Sequence, residues 1–220
     1  MLKALFLDHD GTLVNSENLH GQLWCEVLKA HHADLTLSEY HHEYAGFSTL
    51  QNAQDFIERF QLPMGQQRLA QQKIDTTQQW LQRNAFPLIE GTRELMTWAH
   101  HQGLPQAIVT GGQRWSVERT LQHYDLGRFI ESITSQEDAP HNKPYPDLYL
   151  LALKRMKVSA TEVLAIEDTS RGMQAALNAG IRCIVVRNEH SQTHDFTGAL
   201  AVLDSLPEAL AWLQAHYSDL

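Results

Sequence analysis

Four short apolar runs limit what this 220-residue chain can fold into. They read LKALFL, PQAIVT, EVLAIE and IRCIVV, at residues 2–7, 105–110, 162–167 and 181–186. Most are followed by polar or glycine-rich residues and then by a segment with helical spacing. Short buried strands that alternate with helices are typical of an α/β fold with a parallel sheet. Weaker runs at 128–134 and 201–206 indicate further strands or sheet edges.

Residues 15–85 break this alternation. Their apolar residues recur at helical spacing, as in Leu19, Leu23, Trp24, Val27 and Leu28 and again in Leu69, Ile74, Trp80 and Leu81. The strand-and-helix pattern resumes near residue 86. We therefore expect a Rossmann-like α/β core made of residues 1–14 and 86–220, with a helical cap inserted at residues 15–85.

Composition narrows the classes of function. The net charge of −9 argues against binding to nucleic acid or to an acidic membrane, because phosphate backbones require a basic surface. Cys25 and Cys183 form no C-x-x-C motif, which argues against a zinc site or a disulfide framework. The N-terminal apolar run stops at Asp8, and no segment approaches the ~18 apolar residues of a membrane span. We expect a soluble, cytoplasmic protein; a monomer is compatible with the sequence.

Two carboxylates follow the first apolar run, where ligands bind in parallel α/β sheets. The sequence there is Asp8-His9-Asp10-Gly11-Thr12. In an extended strand, side chains two residues apart lie on the same side. We therefore expect the carboxylates of Asp8 and Asp10 to lie on one side and the His9 side chain to point away from them. Like charges held so close require a metal, a shared proton or a phosphate group to offset their repulsion.

Other polar groups stand at the ends of the later runs. Thr110 and Gly111 follow the second run, Lys143 lies in the segment HNKPYPDLY, and Glu167 and Asp168 end the third. Each group alone has an ordinary structural explanation, such as a turn, a loop or a helix start. Together they place carboxylates, a hydroxyl and a lysine at one crevice. Hard oxygen ligands suit Mg²⁺, and this set of groups suits phosphoryl transfer.

Four segments in this order resemble the motifs of a known family. The segments are DHDGTLV, VTG, NKPYPD and IEDTSRGMQAALNAG. They resemble the motifs of the haloacid dehalogenase superfamily, whose phosphotransferases use an aspartate nucleophile. The resemblance covers nearly the whole chain and is closest to the β-phosphoglucomutase-like subfamily, which inserts a helical cap directly after the first motif.

This resemblance implies roles for individual residues. It makes Asp8 the nucleophile that forms an aspartyl-phosphate, and Asp10 the acid that protonates the leaving oxygen and later activates water. Lys143 would neutralise Asp8 and the phosphate group, while Thr110 and the Gly111 amide would bind phosphate oxygens.

The resemblance also implies a Mg²⁺ cofactor. Its ligands would come from Asp8, Glu167, Asp168 and the backbone carbonyl of Asp10. The substrate would be a small phosphorylated metabolite. His20, on the first turn of the cap, and Arg114, after the Thr110 loop, are candidate substrate contacts.

Three functions compete within this framework. We favour a phosphatase of sugar or polyol phosphates, since Thr12 resembles the phosphatases whereas the related sugar mutases carry valine there. A phosphomutase must grip a second phosphate with its cap, but residues 48–52 offer no basic side chain. A catalytically silent binding module would be expected to lack Asp8, Asp10 or Lys143, and all three are present.

Overall fold

The computed structural model describes residues 1–217 and contains a six-stranded parallel sheet. The strands are β1 (Ala4–Leu7), β2 (Gln106–Val109), β3 (Ile130–Thr134), β4 (Val163–Glu167), β5 (Arg182–Val186) and β6 (Ala201–Leu203). Their order in the sheet is β3-β2-β1-β4-β5-β6, and all five pairings are parallel. The four strong apolar runs and both weaker ones form strands, with the weaker ones at the two edges. The predicted α/β class is confirmed.

Helices connect the strands and form the insertion. The inserted helices are α1 (Glu17–Lys29), α2 (Leu37–Glu43), α3 (Thr49–Phe60) and α4 (Gln66–Leu81). Those of the sheet region are α5 (Thr92–His101), α6 (Arg114–His123), α7 (Asp147–Met156), α8 (Ser170–Asn178) and α9 (Leu206–His216). Short 3₁₀ turns lie at Gly127–Phe129, Gln136–Asp138 and Ala160–Glu162. Within residues 1–217 no helix is long and apolar enough to cross a membrane.

The central strands are apolar on both faces because helices cover both faces of the sheet. Side chains alternate along a strand, so β1 sends Leu5 and Leu7 into one hydrophobic cluster and Ala4 and Phe6 into the other. Strand β4 divides in the same way. This two-sided burial explains why the runs read as nearly continuous apolar segments rather than as alternating ones.

The chain divides into two compact units. The sheet unit comprises Met1–Asn15 and the described residues from Pro87 onward, and the helical unit comprises Ser16–Phe86. The helical unit has a hydrophobic cluster of its own, in which the Trp24 and Phe56 rings meet edge to face with centroids 5.0 Å apart. It therefore does not depend on the strands for a core.

We expect Phe56→Ala to lower the free energy of unfolding of the helical unit by ~3–5 kcal/mol, because its buried ring would leave a cavity. Phe47→Ala is the matched control in the same unit, since the Phe47 side chain is 55% exposed. Phe47→Ala should lower the free energy of unfolding by less than about 1 kcal/mol. Chemical denaturation followed by tryptophan fluorescence measures both, and equal losses for the two variants would contradict this assignment of the core.

Candidate active site

The candidate site lies where three adjacent strands end. Strand β1 is hydrogen-bonded to β2 on one side and to β4 on the other. Asp8 follows β1, Thr110 follows β2, and Asp168 follows the last residue of β4. Because the three strands are parallel, these residues meet at the same edge of the sheet, at its carboxyl end.

Lys143 joins the acidic side chains. Its ammonium donates to Asp8 Oδ1 at 2.5 Å, to Glu167 Oε1 at 2.6 Å and to the Val109 carbonyl at 2.9 Å. These three acceptors match the three N–H bonds of the ammonium group. Burial alone would lower the pKa of Lys143, but the charges of Asp8 and Glu167 raise it above its usual value. The lysine is therefore a fixed positive charge.

The acidic cluster fits a divalent cation. Asp8, Glu167 and Asp168 are buried, and each offers an oxygen atom within 4.8 Å of the others. Burial and the charges of Asp8 and Glu167 raise the pKa of Asp168 well above its usual value. One lysine thus faces three carboxylates, and a cation bound by hard oxygen donors would offset the remaining negative charge.

Gly11 makes room for this cluster. Its φ is +81°, and a Cβ atom there would lie 2.1 Å from Asp168 Oδ2. Both the backbone conformation and the close approach require glycine. The Asp-Gly pair that the sequence suggests as a turn therefore also shapes the acidic site.

The Thr110 loop supplies hydroxyl and amide groups beside Asp10. The Gly112 N–H donates to Thr110 Oγ1 at 2.9 Å, so the hydroxyl keeps its own hydrogen for another acceptor. A Cβ atom on Gly112 would lie 2.7 Å from Asp10 Oδ2, and one on Gly111 would lie 2.7 Å from Asn142 Oδ1. The structure therefore brings Asp10 against the loop expected to bind phosphate.

The expected orientation of His9 is wrong. Its Nδ1 atom lies 3.2 Å from Asp10 Oδ2, so the ring contacts one of the two aspartates instead of pointing away from both. The alternation of side chains fails here because β1 already ends at Leu7. The N–H groups of Leu13 and Val14 both donate to the His9 carbonyl, which shows that the chain has begun to turn.

Two further side chains support the cluster and were not identified from the sequence. Asn188 Nδ2 donates to Asp168 Oδ2 at 2.7 Å, and Tyr149 donates its hydroxyl hydrogen to Glu167 Oε1. Asn188 lies two residues beyond the end of β5, so its position just after a predicted strand makes it recognisable as a candidate site residue. Tyr149 lies on α7, and only the packing of that helix against the sheet brings its hydroxyl to Glu167.

His20 lies in the helical unit. Its Nδ1 atom is 2.5 Å from the ammonium of buried Lys73, and its ring meets the Phe86 ring edge to face with centroids 5.2 Å apart. These contacts fix the imidazole within that unit. The contact of His20 with substrate stays a prediction.

The sequence matches one family over most of its length. A model of the haloacid dehalogenase-like hydrolases matches residues 5–186. The fructose-1-phosphate phosphatase YqaB of Escherichia coli (strain K12) is 30% identical over 186 residues, which cover 84% of this chain and 96% of that relative.

Two solved structures are also similar to this chain over most of its length. The crystal structure of CbbY from Rhodobacter sphaeroides in complex with phosphate has a TM-score of 0.83 and 26% sequence identity. The match covers 94% of this chain and 96% of that one. A second crystal structure, of a CbbY mutant in complex with xylulose-1,5-bisphosphate, matches equally well.

Arg114 is held by an acidic partner in the sheet unit. Its guanidinium donates to Asp138 Oδ2 at 2.5 Å and to the Ile133 carbonyl at 3.0 Å. Asp138 also accepts from Arg155 at 2.7 Å and from the Ser135 N–H at 2.9 Å. The cluster ties helices α6 and α7 to the end of β3, and a contact of Arg114 with substrate stays a prediction.

We expect Asp138→Asn to lower the free energy of unfolding at pH 7 by ~2 kcal/mol, as the loss of charged hydrogen bonds implies. The hydrogen bond from Arg155 lowers the pKa of Asp138 below its ordinary 3.8, so the stabilisation is complete above that value. It is lost as the pH falls through the lowered native pKa. Denaturation curves at several pH values should show that the free energies of unfolding of the parent protein and of Asp138→Asn converge in acid. Asp34→Asn, at an exposed position, is the control, and a difference independent of pH would contradict the ion pair.

Proposed function

Since the chain belongs to the haloacid dehalogenase-like hydrolases, we propose that it is a Mg²⁺-dependent phosphatase of small phosphorylated metabolites. The observation that carries the proposal is the set of contacts around Lys143. The ammonium holds Asp8 and Glu167 together, and Asp168 completes a buried oxygen cluster beside them. A carboxylate nucleophile between a fixed cation and a metal site is an arrangement suited to phosphoryl transfer.

The first step is an attack by Asp8. One of its carboxylate oxygens forms a bond to phosphorus while the bond from phosphorus to the leaving alkoxide breaks. Asp10 gives its proton to that alkoxide, which departs as an alcohol. The product on the protein is an aspartyl-phosphate at Asp8.

The second step returns the protein to its starting state. Asp10, now a carboxylate, removes a proton from a water molecule whose oxygen attacks phosphorus. The bond between phosphorus and Asp8 breaks, so inorganic phosphate leaves and both aspartates recover their original forms. Thr110 and Gly111 are the groups proposed to hold the phosphate oxygens.

The residues proposed to hold Mg²⁺ are Asp8, Glu167 and Asp168, together with the Asp10 carbonyl that the family resemblance implies. When bound, the ion supplies positive charge that neutralises the phosphate oxygens and the acidic cluster. Lys143 already uses its three N–H bonds within the protein, so a phosphate group that binds it replaces one of those acceptors.

Sugar phosphates are the proposed substrate class. One relative is named a fructose-1-phosphate phosphatase, and the related CbbY mutant was solved with xylulose-1,5-bisphosphate. Both molecules carry phosphate on a small polyhydroxylated chain. We extend that chemical class to this chain without choosing one sugar.

Residues 48–52 favour a phosphatase over a mutase. Ser48 caps helix α3 by accepting from the Gln51 N–H, and the Gln51 side chain donates to Asp55. Buried Asn52 donates to the Tyr44 carbonyl at 3.1 Å. These polar side chains stabilise the helical unit and bring no positive charge with which to hold a second phosphate.

We expect chelation of Mg²⁺ to abolish phosphate release from sugar phosphates and Mg²⁺ to restore it. Asp8→Asn should lower kcat by at least about 10⁴-fold, because the amide cannot act as the nucleophile. Asp34→Asn is the matched control at an exposed site and should keep full activity. A folded Asp8→Asn protein with retained turnover, or full activity in excess chelator, would rule out this mechanism.

A second experiment separates hydrolysis from isomerisation. The protein should release one phosphate per sugar monophosphate consumed, without any sugar bisphosphate activator. Phosphorus NMR of a hexose 1-phosphate reaction measures both products at once. Conversion to the 6-phosphate that requires a bisphosphate and releases negligible phosphate would establish the mutase instead.

A further inference from the structure

His9 is buried between Asp10 and helix α6. Its side chain is fully buried, although it occupies the position between the two aspartates of the first motif. Nδ1 lies 3.2 Å from Asp10 Oδ2, and Nε2 lies 3.1 Å from Oγ1 of Thr120. Thr120 is itself 2% exposed. Each ring nitrogen therefore faces one oxygen atom, and the contact with Thr120 is buried.

The chemistry of the three groups fixes where the hydrogens lie. When Asp10 is ionised its carboxylate only accepts hydrogen bonds, so in that state His9 carries a hydrogen on Nδ1 and donates it to Asp10. In a neutral imidazole Nε2 is then an acceptor, and the Thr120 hydroxyl donates to it. The hydrogen bonds thus run from Thr120 to His9 and from His9 to Asp10, and this direction selects one tautomer.

We propose that His9 is a positioning residue for Asp10, and that Thr120 orients His9 in turn. This inference rests on the proposed phosphatase function. His9 holds Oδ2 of the Asp10 carboxylate. In the first step Asp10 gives its proton to the leaving alkoxide, and in the second it takes one from the attacking water. His9 keeps its Nδ1 hydrogen throughout and undergoes no net change.

The proposal differs from simple packing in what it requires. A side chain that only fills space could be replaced by an apolar one of similar volume. A positioning residue must donate a hydrogen bond from one particular place. Errors of about 1 Å in the placement of a catalytic group cost about 10²-fold in rate, which is the scale of effect to look for.

Two substitutions of His9 test this requirement. His9→Leu keeps an apolar body but removes the donor, whereas His9→Asn keeps an N–H near the place of Nδ1. With Mg²⁺ and glycerol phosphate, we expect His9→Leu to lower kcat by about 10²-fold with KM changed by less than about 2-fold. We expect His9→Asn to recover most of kcat. Thr120→Val, which removes only the hydroxyl, should give a smaller loss of kcat.

Acetyl phosphate provides a readout that a purely structural role would not change. Acetate leaves without being protonated, so Asp8 can be phosphorylated even when Asp10 is misplaced. Hydrolysis of the aspartyl-phosphate still requires Asp10 as a base. In rapid acid quench, His9→Leu should therefore accumulate phosphorylated protein from acetyl phosphate, while the parent protein and His9→Asn should not.

The outcomes separate the two proposals. A parent protein that releases phosphate from neither glycerol phosphate nor acetyl phosphate overturns the proposed function, and the role of His9 with it. An active parent whose His9→Leu and His9→Asn variants lose activity equally, or accumulate no phosphorylated protein, overturns only the role of His9. If His9→Leu does not fold, His9→Asn and Thr120→Val are each compared with the parent protein. A full loss of kcat in His9→Asn, or an unchanged kcat in Thr120→Val, then contradicts the proposal.

Discussion

The site depends on the placement of one buried ammonium group. Without Lys143, the buried carboxylates of Asp8, Glu167 and Asp168 would have only hydrogen bonds from neutral side chains, such as those from Asn188 and Tyr149, to offset their repulsion. A unit charge pair ~4 Å apart is worth ~4 kcal/mol at an effective dielectric constant of 20, which is a large fraction of the stability of a domain. The contacts of Lys143 with Asp8 and Glu167 let these acids stand together, and the charge left over is what a divalent cation would neutralise.

The sheet and its loops hold the lysine in this place. Strand β1 lies between β2 and β4, so Asp8 is flanked by Val109 on one side and by Glu167 on the other, and Lys143 donates to all three residues. Asn142 fixes the loop that carries the lysine. Its side chain donates to the Gly111 carbonyl and accepts from the Lys143 N–H. The loop that contains Thr110 and Gly111 and the loop that carries Lys143 are thus tied together by the side-chain amide of Asn142.

The sequence predicts those parts of the molecule that depend on local pattern. Strands β1, β2, β4 and β5 are recognisable because burial on both faces leaves a short apolar run, and the acids are recognisable because they stand at the ends of such runs. The predicted orientation of His9 is wrong because the alternation of side chains does not extend beyond Leu7, where the strand ends. Tyr149 was missed because its role depends on how helix α7 packs, which no local pattern records. The position of Arg114 after the Thr110 loop suggests a contact with substrate, but it does not reveal the ion pair with Asp138, which lies 24 residues away in the sequence.

The turn after β1 explains how two aspartates so close in sequence can have different tasks. Asp8 remains in line with the strand, where its side chain is 7% exposed and bound to Lys143. The chain then turns at His9, and the side chain of Asp10 is 30% exposed and lies against His9 and Gly112. Burial raises the pKa of Asp8, and the positive charge of Lys143 acts against that shift, toward the ionised form that a nucleophile needs. A carboxyl group whose side chain reaches solvent can exchange a proton. The end of strand β1 therefore gives different surroundings to the proposed nucleophile and the proposed acid, although only one residue lies between them.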